Sequence, residues 1–163
     1  MHTMPKKRFR FRRTDAWREG KWLDLWSVVH LLSGFSTGFT LFVLNFGAQA
    51  STLLAFVLFV AYELWEAMVD IKEAPTNRFM DVVVGMVGFV PAFFLIAPVL
   101  PGARFWEAFA ALLVVNIALA TIGWIASQKA AELEKRLRAR YERERDIIRT
   151  RRKRFRAKFQ KQQ

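Results

Sequence analysis

A chain of 163 residues that is 53% hydrophobic yet carries a formal net charge of +12 must keep its apolar and charged parts separate along its length. Its length suits one domain. It has no cysteine, which excludes disulfides, thiolate metal centres and cysteine nucleophiles. It also lacks a Walker loop, a GxSxG elbow and an HExxH pair, so the common nucleotide, serine-hydrolase and zinc-protease signatures are absent.

Residues 1–21 hold eight Lys/Arg against Asp15 and Glu19, and residues 129–163 hold fifteen against five acids. The stretch 22–128 holds only Lys72, Arg78 and Arg104 against seven acids. The reading is an all-α polytopic membrane protein. Residues 1–21 form a basic N-terminal arm, 22–127 a four-helix transmembrane domain and 128–163 a basic helix that prolongs the last span.

The N-terminal arm contains Lys6-Lys7-Arg8-Phe9-Arg10-Phe11-Arg12-Arg13, in which cations alternate with phenylalanine. The spans are expected at about 23–46, 51–69, 80–99 and 105–127, each near the roughly 20 residues needed to cross a bilayer. Gly47–Ala50, Ala74–Asn77 and Pro101–Ala103 supply the turns. The segment Ala48-Gln49-Ala50 before Ser51 has the form of a signal-peptidase site. The apolar stretch before it, however, is too long for a signal core and contains Asp24 and His30. A soluble helical core is the other alternative, and the hydrophobicity of the middle region argues against it. Four spans bring both termini to one side. The positive-inside rule makes that side the cytoplasm of a bacterial-type inner (plasma) membrane. Trp22, Trp26, Trp65, Trp106 and Trp124 fall near span ends, where interfacial aromatics are enriched.

With this topology the polar residues of the spans acquire a depth. His30 lies about 10 Å into the first span at 1.5 Å per residue. Glu63 and Glu66 come at the returning end of the second span, Asp70 at its mouth, and Asn77, Arg78 and Asp81 at the start of the third. Three helices thus carry polar groups to one membrane level. Ser27, His30 and Gly34 share a face of the first span, and Asp81, Gly85 and Gly88 share one of the third. Glycines on such faces let membrane helices approach closely, and ionisable groups inside spans mark a candidate site.

The order His30, then Glu63-x-x-Glu66, then Asn77-Arg78-x-x-Asp81 leading to Gly85 and Gly88 resembles the pattern of the VanZ-like group of small integral membrane proteins, over about 24–90. Val84 and Glu66 depart from that group's usual Asn and Gln. The resemblance implies an inner-membrane protein with a polar site at these positions. The group's founding member is linked to glycopeptide-antibiotic tolerance, but the group has no settled activity.

Two readings of the cluster follow from its chemistry. His30, Glu63, Glu66 and Asp81 could hold a divalent metal, since imidazole and carboxylate together suit Zn, Mn or Fe. With Arg78 as a phosphate contact, such an ion would polarise a phosphoryl oxygen or activate water on a lipid-phosphate substrate. Alternatively, His30 and Arg78 neutralise the acids and tie three helices together. A proton or ion pathway, or an oligomeric channel, is a third possibility, but the outer half offers few polar groups. Asn116 stands alone in the last span and is read as a helix–helix hydrogen bond.

From Phe105 to the C-terminus there is no proline and only Gly123, so one long helix is expected. Leu133, Leu137, Tyr141, Ile148, Phe155 and Phe159 recur at helical spacing, and Glu132–Arg136 and Glu134–Arg138 form favourable i, i+4 pairs. Arg149, Arg151, Arg152, Lys153, Arg154, Phe155, Arg156, Lys158 and Phe159 make a dense basic and aromatic segment. It is read as contacting anionic lipid headgroups, with a coiled-coil partner or a second copy through 128–163 next, and nucleic acid or the ribosome after that. The reading favours an accessory or scaffold membrane protein over an enzyme.

Overall fold

The computed structural model describes residues 17, 20, 22–69 and 74–160, with the side chains of 153 and 155–160 excepted. It contains four helices long and apolar enough to cross a membrane, and the chain is a four-span membrane protein. The helices are α1 (Leu25–Val43), α2 (Ala48–Met68), α3 (Pro75–Pro91) and α4 (Gly102–Gln160). The described chain divides into two compact units, one of residues 16–126 and one containing residues 127–160.

Local sequence sets the helix ends. Asp24 caps α1: its side chain accepts from the Trp26 and Ser27 backbone N–H groups, while the Ser27 hydroxyl accepts from the Asp24 N–H. These bonds satisfy donors that a helix start otherwise leaves orphaned. The α1–α2 turn passes through Asn45, with φ of 56°, a left-handed conformation that asparagine tolerates better than most residues. Pro75 occupies the first turn of α3, where its missing N–H costs nothing. The helix therefore begins five residues before the expected 80, and takes Asn77 and Arg78 into its first turn rather than leaving them in the loop. At the far end, Pro91 lies inside the helix. A wide turn at Ala92–Ile96 and a tight one at Ala97–Val99 complete this span, because a proline interrupts the regular hydrogen-bond ladder.

α1 and α3 make the closest pair, and glycine is the reason. A Cβ on Gly34 would collide with the Gly85 carbonyl oxygen, and one on Gly88 with the Leu31 carbonyl. A Cβ on Gly38 would come within 2.7 Å of the Ala92 side chain. Lipid supplies no hydrophobic drive between helices, so this close van der Waals contact is what holds them. α2 docks on the other side of Gly85 through Phe59, whose ring would lie 3.1 Å from an added Cβ. Two apolar clusters flank the seam. One joins Leu41, Ala55, Phe59, Phe89 and Phe93, and the other joins Phe39, Ala92, Ala97 and Phe105.

α4 is packed differently. Phe105 and Phe109 lie against Phe39 of α1 at ring-centroid distances of 5.0 and 5.8 Å. Asn116 Nδ2 donates to Ser33 Oγ at 3.0 Å, which is the helix–helix hydrogen bond expected of that residue. Farther along, Gly123 leaves space for Trp17, whose ring would lie 2.6 Å from an added Cβ. Trp17 also meets Trp26 edge-on at 5.2 Å and accepts from its indole N–H at 3.2 Å.

In the second unit, residues 127–160 continue as helix. The Arg136–Glu132 and Arg138–Glu134 pairs form at 2.6 and 3.2 Å. Leu133, Tyr141 and Ile148 of the apolar seam are exposed, and Leu137 is half-buried. Arg149, Arg151, Arg152 and Arg154 are exposed too. The side chains of Lys153, Phe155, Arg156, Lys158 and Phe159 lie outside the described residues, as do Asp70 and most of the N-terminal arm.

Candidate functional site

The polar residues of α1, α2 and α3 come together in the 16–126 unit. His30, Glu63 and Asp81 are all buried. One nitrogen or carboxylate oxygen from each lies within 4.8 Å of the others. Helix spacing delivers them: His30 is one turn along α1 from Ser27, and Asp81 one turn along α3 from Asn77.

Asp81 is the anchored member. Its Oδ1 accepts from Ser27 Oγ at 2.8 Å and its Oδ2 from Asn77 Nδ2 at 3.1 Å. The Ser27 hydroxyl accepts from the Asp24 N–H at 3.3 Å while donating to Asp81, the double role open to a hydroxyl. Asn77 also donates to Asp24 Oδ2 at 3.2 Å, and that oxygen accepts from the Gly20 N–H at 2.6 Å. The cap of α1 and the first turn of α3 are thus one hydrogen-bonded unit, with the Asp81 carboxylate held inside it.

His30 and Glu63 are the open members. Nδ1 of His30 lies 3.0 Å from the Trp26 carbonyl oxygen. A carbonyl only accepts, so Nδ1 carries the proton and donates to it. Nε2 is then the nitrogen turned to α2, 3.2 Å from Glu63 Oε1. This pair is close without being aligned as a hydrogen bond: Nε2 and both Glu63 oxygens are buried and have no hydrogen-bond partner. Two electron-pair acceptors do not face each other at this distance without a proton or a cation between them. The Asp81 Oδ1 approaches the same ring, 3.7 Å from Nδ1. Tyr62 covers the ring edge-on at 5.6 Å.

Of the residues expected at the site, the structure brings together His30, Glu63, Asn77 and Asp81. Glu66 is half-buried on α2 and is not among the three residues whose ligand atoms converge within 4.8 Å. Its place is a consequence of helix geometry: three residues on, it has risen about 4.5 Å along the axis. Arg78 is half-buried in the first turn of α3. Gly34, Gly85 and Gly88 are the close-packing positions.

Sequence reasoning missed two participants. Asp24 counted only as a charge near the start of a span, and Ser27 only as a small residue on the His30 face. The signal was the spacing Asp24-x-x-Ser27 ahead of an apolar run, which is a helix-start pattern. What it could not give was the second bond each residue makes, to Asn77 and to Asp81 on another helix.

These features define a four-span membrane protein with a buried His/carboxylate triad. No family model, curated protein or solved structure matches the chain.

Proposed function

We propose that this chain is an integral membrane protein that holds one divalent cation, Zn²⁺ or Mn²⁺, between three of its helices through His30, Glu63 and Asp81. The observation that carries the reading is the orphaned pair: His30 Nε2 and both oxygens of Glu63 are buried without hydrogen-bond partners, 3.2 Å apart at their nearest. A cation answers all three atoms at once. The donor set of one imidazole and two carboxylates suits these ions. The Nδ1–H bond to the Trp26 carbonyl is the outer contact that fixes a ligating histidine ring and its tautomer. Ligand bonds of about 2.1 Å in a tetrahedral site place ligands about 3.4 Å apart, so closing the 4.8 Å spread on an ion takes a side-chain movement of roughly 1.4 Å.

The role that fits is structural and accessory. The ion ties α2 to the α1–α3 pair, and the basic end of α4 engages anionic lipid headgroups or a partner helix on the cytoplasmic side of the membrane. The charge distribution along the chain supports that orientation. His30, Glu63 and Asp81 belong both to this site and to the pattern that carries the VanZ-like resemblance, so membership of that group and the cation reading are proposed together.

Elemental analysis of the purified full-length protein, dialysed against buffered Zn²⁺ and then Mn²⁺, tests the reading. We expect about one ion per chain, lost at least tenfold in His30→Gln and Glu63→Gln and kept in Glu66→Gln. A wild-type protein holding no more metal than Glu63→Gln would overturn it, leaving a proton-bridged His30–Glu63 tie in its place.

A further inference from the structure

A groove of about 330 Å³ opens where α1, α2 and α4 meet. Leu58 and Phe59 of α2 and Ile117 and Ala120 of α4 form its apolar walls. α1 contributes His30 and Ser33, and Asn116 faces them from α4. Every wall belongs to a helix that spans the membrane, so what reaches the groove comes from the bilayer rather than from water.

The wall chemistry narrows the occupant further. Asn116 uses Nδ2 on Ser33 Oγ, and its Oδ1 is buried with no partner. Whichever way the Asn116 amide is turned, one of its polar atoms is left over beside Ser33. That leftover atom is an acceptor in one orientation and a donor in the other. A hydroxyl answers both, because it donates and accepts, whereas an ester or ether oxygen only accepts. An unpaired amide atom in hydrocarbon is costly. The volume lies at the lower end of small-molecule sites, enough for part of one chain and not for a whole two-chain lipid.

We infer that the α1–α2–α4 groove binds a long-chain lipid alcohol, its chain along Leu58 and Ile117 and its hydroxyl at Asn116 and Ser33. The inference goes beyond the cation site. Asn116 lies on α4, outside the triad, and the groove needs no metal to exist. The spacing of α4 from α1 explains why there is room. Phe39 of α1, tilted against Phe105 and stacked on Phe109, sets this pair apart, where glycines bring α1 and α3 together.

Photolabelling of the detergent-purified full-length protein with a diazirine-tailed monoacylglycerol tests this, with labelled peptides mapped by mass spectrometry. Leu58 and Ile117 are exposed to lipid to a similar extent as Val87 and Leu95 of the third span, which lie outside the groove, so adducts concentrated at Leu58 and Ile117 over those two are expected. Monoolein should compete about tenfold better than methyl oleate, the effect of one hydrogen bond of about 1.4 kcal/mol. Ala120→Phe fills the groove and should abolish the labelling, and Asn116→Leu should weaken it about tenfold. Ile117→Phe, on the same wall, replaces Ala120→Phe if that variant fails to elute as a folded species. Labelling spread evenly over lipid-facing positions, or equal competition by the ester, would overturn the inference. Metal content measured on the same samples separates the two proposals: groove labelling without bound metal overturns only the cation reading, and bound metal with even labelling overturns only this one.

Discussion

The α1–α3 seam and the membrane-spanning part of α4 are built from similar apolar material and packed by opposite means. In α1, 44% of the span is buried against the rest of the protein; in α4, 6%. Gly34 and Gly88 let backbones touch, and polar side chains are then locked across the contact by the Ser27–Asp81 and Asn77–Asp24 bonds. α4 instead leans on α1 through phenylalanine rings and one amide–hydroxyl bond. In a solvent as apolar as the side chains, proximity has to come from small residues and specificity from polar ones. The seam has both and encloses a site. α4 has little of either, and leaves a groove open to the bilayer.

This contrast can be broken first at the glycines. Gly34→Val drives a branched side chain into the Gly85 carbonyl, and the expected cost is on the order of 3 kcal/mol. Gly47→Ala, with nothing within 4 Å of the added carbon, should stay within about 0.5 kcal/mol of wild type. Unfolding in mixed micelles, followed by circular dichroism, checks both. Equal losses would mean that the seam is not the close-packed region described.

Next in size is His30→Ala, which leaves the buried Glu63 carboxylate without its neighbour. A loss of about 2 kcal/mol is expected, above the upper range for single polar contacts in membranes, because a carboxylate is stranded rather than a neutral group. A smaller effect belongs to α4. Asn116→Leu removes one interhelical bond, and about 0.6 kcal/mol is the expected loss in the same unfolding assay. If Asn116→Leu cost as much as His30→Ala, α4 would be bound as firmly as the seam, and the contrast would fail. Smallest of all, Arg138→Gln removes one exposed i, i+4 pair, and its effect should not exceed about 0.5 kcal/mol and should vanish at high salt.

Much of this architecture was legible in the residues. Hydrophobic length gave four spans, and the level shared by His30, Glu63 and Asp81 followed from counting along them. Gly34, Gly85 and Gly88 were readable because a membrane interface has few other uses for glycine. Helix ends were less accessible. The extra turn at the start of α3 depends on Pro75 acting as a helix-initiating residue, and proline also marks loops. The exclusion of Glu66 from the converging group turns on the height of one residue along an axis. The roles of Asp24 and Ser27 were half visible, since a capping pattern is local, while the bonds to Asn77 and Asp81 join residues more than fifty positions apart. The groove had no sequence signal at all. It arises from the distance between two helices, which aromatic contacts in three dimensions set.

X-ray absorption at the zinc edge on the Zn²⁺-loaded full-length protein tests the central claim most directly. The account expects a light-atom shell at about 2.0–2.2 Å with the outer scattering of a single imidazole, and loss of that imidazole signal in His30→Gln. A spectrum of hydrated zinc, or an imidazole signal unchanged in His30→Gln, would contradict it.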